Sequence, residues 1–203
     1  ENAVLNNGFS HLSLGGYYSK KDRYFDWKAG VNAFQKRYNW YGLSSTITYD
    51  TNLIPLIEED IRYTFLEAEG EITFENSFID NVSGKLSSFG DGYNSDEIKF
   101  SLQSKLQLPL DNLSRNLNDL DLQIKLDYLT GDFNLNYASN ATIDYSFFNF
   151  SLHPVYRFEK GNFKFKLGTK GYLSVDGENS LTNVLFYPDV QISHPLVSNF
   201  VDL

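Results

Sequence analysis

Hydrophobic and polar residues alternate along most of the chain. In residues 24–34, YFDWKAGVNAF, five successive odd positions are apolar: Phe25, Trp27, Ala29, Val31 and Ala33. The even positions between them hold polar residues or glycine: Asp26, Lys28, Gly30 and Asn32. A period of two places neighbouring side chains on opposite sides of a β-strand. The stretch is therefore predicted to be a strand with one apolar face and one polar face.

The same alternation returns along the sequence, with turn-rich segments between. The clearest further stretches are residues 9–19, 61–75, 97–108, 119–129, 163–175 and 182–194. Shorter strands are predicted at 45–50, 82–88 and 133–139, and 141–158 continues the pattern. No stretch has the periodicity of an amphipathic helix. We therefore predict one all-β domain over residues 1–203, an antiparallel up-and-down meander of about ten or eleven strands.

Charge and aromatic residues suggest how the strands pair. For 97–108 against 119–129, a loop centred near Leu113 places Lys99 opposite Asp127 and Lys105 opposite Asp121. Opposite charges across an antiparallel ladder contribute about 0.2–1 kcal/mol. In the later hairpin, a four-residue turn at 159–162 places Phe158 opposite Phe163, Tyr156 opposite Phe165 and Leu152 opposite Thr169.

Strand length favours a transmembrane β-barrel, or a large part of one. Soluble strands average about 5–6 residues, whereas a membrane-spanning strand needs about 9–11. Five alternating apolar positions cover about 27 Å, close to the apolar band of such barrels, about 25 Å tall. Aromatic residues near strand ends are candidates for the membrane interface: Tyr17, Tyr18, Trp27, Trp40 and Tyr41. The alternative is a soluble β-sandwich or lipocalin-like barrel with the apolar face as its core.

Composition narrows the chemistry. The net charge of −9 argues against a nucleic-acid partner, and the absence of cysteine leaves neither disulfides nor a thiolate metal site. Histidines lie far apart, so no metal site or cofactor is predicted. Ser151 and His153 are two positions apart, but no G-x-S-x-G elbow is present and no acid can be assigned to them. No catalytic residue is predicted, and we expect a non-enzymatic protein.

Acidic residues supply the main binding candidates. Glu67, Glu69, Glu71 and Glu75 share one strand face and, within a lumen, would favour cations. The other interpretation is a row neutralised by neighbours, for example by Lys85 pairing with Glu71 across the 76–81 turn. Asp26, Lys28 and Asn32 are predicted to face the same lumen. Residues 58–60 with 91–96 offer oxygen ligands for calcium, although 90–96 also reads as a turn.

Two stretches resemble a known family. HLSLGGYYSKKDRYFDWKAGVNAFQKRYNWYGL (11–43) and LFYPDVQISHPLV (185–197) are similar to strands of the TonB-dependent-receptor-like barrels of Gram-negative bacteria. The resemblance implies a location in the cell outer membrane, contact with outer-membrane lipid, and a role in transport or in a complex with other envelope proteins. The family's plug domain and TonB-contacting box are not recognisable, and the sequence ends in SNFVDL instead of a terminal aromatic. Energised transport is therefore not expected of these residues.

Two functions follow as expectations. The first is an outer-membrane β-barrel that acts as a pore, a transporter barrel or a membrane subunit of an envelope complex, with the solute unassigned. The second is a soluble periplasmic or surface β-domain that binds a hydrophobic ligand or a glycan.

Overall fold

Nine antiparallel strands form the fold. The computed structural model describes residues 8–39, 60–110, 118–133 and 142–194. Its strands are β1 (Phe9–Lys21), β2 (Phe25–Asn39), β3 (Asp60–Phe74), β4 (Ile79–Asp91), β5 (Asp96–Leu108), β6 (Leu120–Phe133), β7 (Ile143–Lys160), β8 (Phe163–Asp176) and β9 (Leu181–Ser193). No helix in these ranges is long and apolar enough to cross a membrane.

The strands form a single sheet in sequence order. Each strand pairs antiparallel with its chain neighbour, from β1 at one edge to β9 at the other. Within the described ranges the sheet is open, because β1 and β9 do not pair with each other. Since the number of strands is odd, the two edge strands run in the same direction. The predicted all-β, up-and-down antiparallel meander is confirmed.

Strand number and length differ in part from the prediction. The short strand expected at 45–50 lies outside the described residues, and the one expected at 133–139 lies almost wholly outside them. The remaining predicted strands all occur. Most are longer than predicted, with 13 residues in β4 against seven predicted and 14 in β6 against eleven. Alternation identifies where a strand is centred, but charged residues at its ends hide how far it extends.

The predicted registers have the correct faces but are wrong by two residues. Lys99 lies opposite Leu129, and Asp127 lies opposite Ser101. In the hairpin of β7 and β8, Phe158 lies opposite Phe165 and Leu152 opposite Gly171. There the turn has only two residues, 161 and 162, and Gly161 at its first position has a φ of 61°. Glycine at that position is typical of a tight type II′ turn, which extends both strands beyond the predicted four-residue loop.

The sheet separates residue types between its two faces. The apolar face carries the even-numbered residues of β1, β3–β7 and β9 and the odd-numbered residues of β2 and β8, with one register shift at Ile79. Charged residues on that face occur only within three positions of a strand end. The middle of the apolar face is uncharged across all nine strands. The polar face carries the other parity.

Exposure is the reverse of what a water-soluble sheet shows. On the apolar face, Leu14 is 76%, Phe186 72% and Leu66 56% exposed. Next to Leu66, the side chain of Glu67 on the polar face is only 15% exposed. The only buried hydrophobic residues in the described part of the chain, Ile61 and Val155, both lie on the polar face. No second layer of the described residues covers the apolar face.

The turn between β7 and β8 gives the first prediction. Gly161→Ala should lower the free energy of unfolding by about 1 kcal/mol, because an L-residue is strained at positive φ. Gly16→Ala is the matched control, since a Cβ at Gly16 meets no atom within 4 Å. Denaturant titration of both variants makes the comparison. Equal losses in the two variants would contradict the tight-turn assignment.

Candidate functional site on the polar face

The polar face is the concave side of the sheet. A cavity of about 720 Å³ contacts five consecutive strands on this face. One lining residue from each strand, in order, is Ser13, Gly30, Glu69, Lys85 and Gln103. A single cavity can contact five neighbouring strands only if the sheet curves around it. The same curvature explains why Glu67 and Glu71, with side chains 15% and 32% exposed, are less exposed than Leu66 and Leu14 on the convex side.

Three of the four predicted glutamates stand side by side on β3. Glu67, Glu69 and Glu71 all belong to the polar face. Glu75 lies just past the end of β3, where its backbone N–H donates to the carbonyl of Tyr24 and its carboxylate lies 3.6 Å from Lys21. The acidic row within the strand therefore has three members, and Glu75 belongs to the turn.

Neighbouring lysines neutralise two of these glutamates. The ammonium of Lys28 lies 2.5 Å from Glu71, directly opposite on the adjacent strand. Asn81 also donates to Glu71, at 2.6 Å. Lys85 binds Glu67 at 2.8 Å instead of the predicted Glu71. Register explains the difference: Lys85 lies opposite Glu69, midway between Glu67 and Glu71, and Glu71 is already bound by Lys28.

Glu69 is the glutamate of the row that forms no ion pair within the described residues. It lies opposite Gly30, and its side chain extends over that glycine, where a Cβ would meet it at 3.5 Å. Lys28 and Lys85 flank it at its two sides. Glu69 therefore presents a carboxylate to the cavity between two ion pairs.

The other predicted polar-face residues lie where the alternation places them. Asp26 pairs with Lys21 at 3.4 Å near the end of the sheet. Asn32 lies between Gly15 and Glu67 in neighbouring strands. Asp26, Lys28 and Asn32 therefore share the face of the acidic row.

The predicted interface aromatics divide between the two faces. Tyr18 and Trp27 lie together on the apolar face near its end, with ring centroids 5.3 Å apart. Tyr17 lies opposite Gly30 on the polar face. Trp40 and Tyr41 lie outside the described residues.

A bridge across an intervening strand was not foreseen from the sequence. The hydroxyl of Tyr145 on β7 donates to Glu97 on β5 at 2.5 Å. Gly131 on β6 lies directly between them, and a Cβ there would come within 2.6 Å of the Tyr145 ring. The glycine leaves room for the tyrosine to lie across β6. Only the known register reveals that these three residues align.

A second bridge of this kind involves His153. Its Nε2 lies 2.8 Å from Asp189 on β9, and Lys166 lies 2.7 Å from the same carboxylate. On the intervening β8, Gly168 lies opposite Asp189, and a Cβ there would meet the carbonyl of Pro154 at 3.0 Å. His153 thus has an acidic neighbour that the sequence could not assign. No hydrogen bond joins it to Ser151 in the described part of the chain.

The proposed calcium loop forms a turn. Asp91 accepts hydrogen bonds from the backbone N–H groups of Tyr93 and Ser95, at 2.8 and 2.9 Å. This arrangement stabilises the connection between β4 and β5. Residues 58 and 59 lie outside the described ranges. Among the described residues, no group of three acidic, histidine or cysteine side chains is placed to hold a metal ion.

No protein-family model, curated protein or solved structure matches this chain. The resemblance to TonB-dependent-receptor-like barrels stays a prediction.

The ion pair at Glu67 generates a prediction. Lys85→Met should lower the free energy of unfolding by about 1 kcal/mol, because it leaves the largely buried carboxylate of Glu67 without its cation. The loss should not be larger, because Lys85 itself is exposed and the pair is partly screened by solvent. Adding Glu67→Gln should recover part of the loss, as a double-mutant cycle measures. Lys164→Met, which breaks an exposed pair with Glu159, is the control and should cost less. Equal losses of unfolding free energy in Lys85→Met and Lys164→Met would show that the Glu67 pair is no more important than an exposed one.

The hydrogen bond between Tyr145 and Glu97 gives a further prediction. Gly131→Ala should displace the Tyr145 ring and lower the free energy of unfolding by about 1–3 kcal/mol, since the hydrogen bond to Glu97 is lost. Tyr145→Phe should produce a loss of similar size. Gly70→Ala is the control, because its Cβ would meet its nearest atom at 3.8 Å. Thermal or denaturant unfolding measures all three, and an unchanged Gly131→Ala protein would refute the bridge.

Proposed function

We propose that this chain is an outer-membrane β-barrel protein, or a large part of one. In this proposal the apolar face contacts lipid and the concave polar face lines a hydrated interior. The function is non-enzymatic: a pore, a transporter barrel or the membrane subunit of an envelope complex. The observation that supports it most is the inverted exposure, with apolar side chains outside and ion-paired side chains within the curve of the sheet.

Water is a poor solvent for the apolar face. Soluble monomers rarely expose contiguous apolar patches larger than a few hundred Å². Here exposed Leu, Val, Ile, Phe and Tyr side chains extend from β1 to β9 without an intervening charge in the middle of the face. Lipid accepts such a surface without the free-energy penalty of hydrating it.

The apolar band also has the height of a membrane. On β5 the apolar positions run from Ile98 to Leu108, about 33 Å along the strand. A strand tilted by about 40° would span about 25 Å with that length, which is the height of the apolar band in outer-membrane barrels. The charges at the strand ends would then lie at the two membrane surfaces.

The open edges need partners in this setting. Unpaired backbone N–H and C=O groups each cost several kcal/mol in hydrocarbon, so β1 and β9 must be paired. Because both edge strands run in the same direction, closing the barrel with antiparallel pairs alone takes an odd number of additional strands. Strands in addition to the nine described would supply the missing pairs.

The interior would be polar, with a local attraction for cations beside the acidic row. Lys28 and Lys85 neutralise Glu71 and Glu67, so the acidic row acts mainly through Glu69. A single unpaired carboxylate in a confined space attracts cations without excluding neutral solutes.

The experiment begins with expression and membrane fractionation. An outer-membrane protein should appear in the membrane fraction, require detergent and migrate differently on gels before and after heating. A monodisperse protein in plain buffer would contradict the proposal. It would favour instead the soluble β-domain that binds a hydrophobic ligand or a glycan.

Adjacent positions of opposite parity provide the matched variants. Leu102→Arg places a charge on the middle of the apolar face and should oppose insertion by about 2–4 kcal/mol. Gln103→Arg places the same charge on the polar face and should insert nearly normally. The measurement is the yield of folded, heat-modifiable protein in vesicles. If both variants insert equally well, the apolar face does not contact lipid.

A further inference from the structure

A second cavity lies on the polar face, beyond the acidic row. It has a volume of about 430 Å³ and contacts β5, β6, β7 and β8. Gln103, Gln123, Ser151 and Lys170 are lining residues from those four strands in order. The volume is within the usual range for small-molecule sites, about 300–1,000 Å³.

Lys170 is the unusual residue in this cavity. Among the lysines that the structure describes, only Lys166 and Lys170 are half-buried, and the others are exposed. Lys166 forms an ion pair with Asp189 at 2.7 Å. Lys170 forms none with any described residue. A half-buried ammonium without an anion is unfavourable, since desolvation of the charge is uncompensated.

Other polar groups in the cavity also lack protein partners. The side chains of Gln123, Asn149 and Ser151 line it, and none of them forms a hydrogen bond within the described part of the chain. Two amides and a hydroxyl supply donors for an oxygen-rich ligand. Together with Lys170 they form a set of donors that converge on one volume.

The cavity's other acidic and basic side chains, Lys125, Asp127 and His153, already have partners. Asp127 accepts from Lys125 at 2.8 Å and from Ser101 at 2.6 Å. His153 is held by Asp189 at 2.8 Å. Asp127 is thereby neutralised at the cavity wall, and the free charge in the cavity is the positive one of Lys170.

The backbone is interrupted at the same place. The ladder between β7 and β8 passes from Leu152↔Gly171 to Val155↔Gly168 without the two pairs between. Pro154 explains the gap, because it has no N–H to donate. Thr169 and Lys170 face the interruption from β8.

We infer that this cavity binds a small oxyanion, a carboxylate or a phosphate group, through the ammonium of Lys170 and the polar side chains of Gln123, Asn149 and Ser151. The inference rests on the cavity and its residues, and it does not depend on what covers the apolar face. The site holds the anion by non-covalent contacts alone.

Calorimetric titration tests the site. The probes are inorganic phosphate and acetate, added to the full chain in plain buffer or in detergent, whichever keeps it folded. Saturable binding of phosphate, acetate or both at one site per chain is expected. Lys170→Met should weaken that binding about tenfold or more, because a charge-assisted hydrogen bond is lost. Lys170→Arg should retain most of it.

Lys36→Met is the matched control. Lys36 also lies on the polar face and forms no ion pair with a described residue, but it is on β2 and away from the cavity. Lys36→Met also removes one positive charge from the polar face, and it should change the affinity for phosphate or acetate by no more than about twofold. Circular dichroism verifies that each variant is folded. The inference is overturned if neither probe binds saturably, or if Lys36→Met and Lys170→Met weaken binding equally.

Discussion

The backbone ladder between neighbouring strands is the constraint on which everything else in this sheet depends. Side chains alternate between faces with a period of two, so a slip of one residue in any pair would move a whole strand's apolar set to the wrong side. The ladder keeps the apolar residues of all nine strands on one face of the sheet, despite the register shift at Ile79. The curved polar surface, its ion pairs and its cavities exist only because this alignment holds across all nine strands.

Alignment also decides which side chains meet across more than one strand. Tyr145 reaches Glu97 because Gly131 occupies the position between them, and His153 reaches Asp189 across β8. A side chain at Gly131 would occupy the space of the Tyr145 ring. These bridges connect second neighbours and add to the first-neighbour ladder. They are concentrated in β5–β9, whereas simple lysine–glutamate pairs predominate in β2–β4.

The faces of the strands could be predicted from the sequence, but the registers could not. Alternation fixes parity, and a slip of two residues preserves it. The predicted Lys99–Asp127 pairing therefore placed both residues on the correct face, but its register was wrong by two residues. The deciding information is the length of each turn, such as the two residues at 161–162.

The acidic row illustrates how far a pattern can predict a site. The sequence places Glu67, Glu69 and Glu71 on one face, as the structure has them. Their partners depend on register, so the pairing of Lys85 with Glu67 could not be derived. Nor could the unpaired state of Lys170, which depends on four strands and on the gap at Pro154. The face on which a residue lies can be predicted from the periodicity of one strand. Its ion-pair partner can be predicted only when the registers of the neighbouring strands are known.

Contact of the apolar face with lipid can be measured directly, because the sequence contains no cysteine. Single cysteines introduced one at a time along residues 98–106 of β5, each carrying an environment-sensitive fluorophore, would be compared in vesicles. If the apolar face contacts lipid, brominated lipid should quench the fluorescence of labels at even positions, and aqueous iodide should quench that of labels at odd positions. Quenching by iodide at both parities, or lipid quenching at the odd positions, would contradict it.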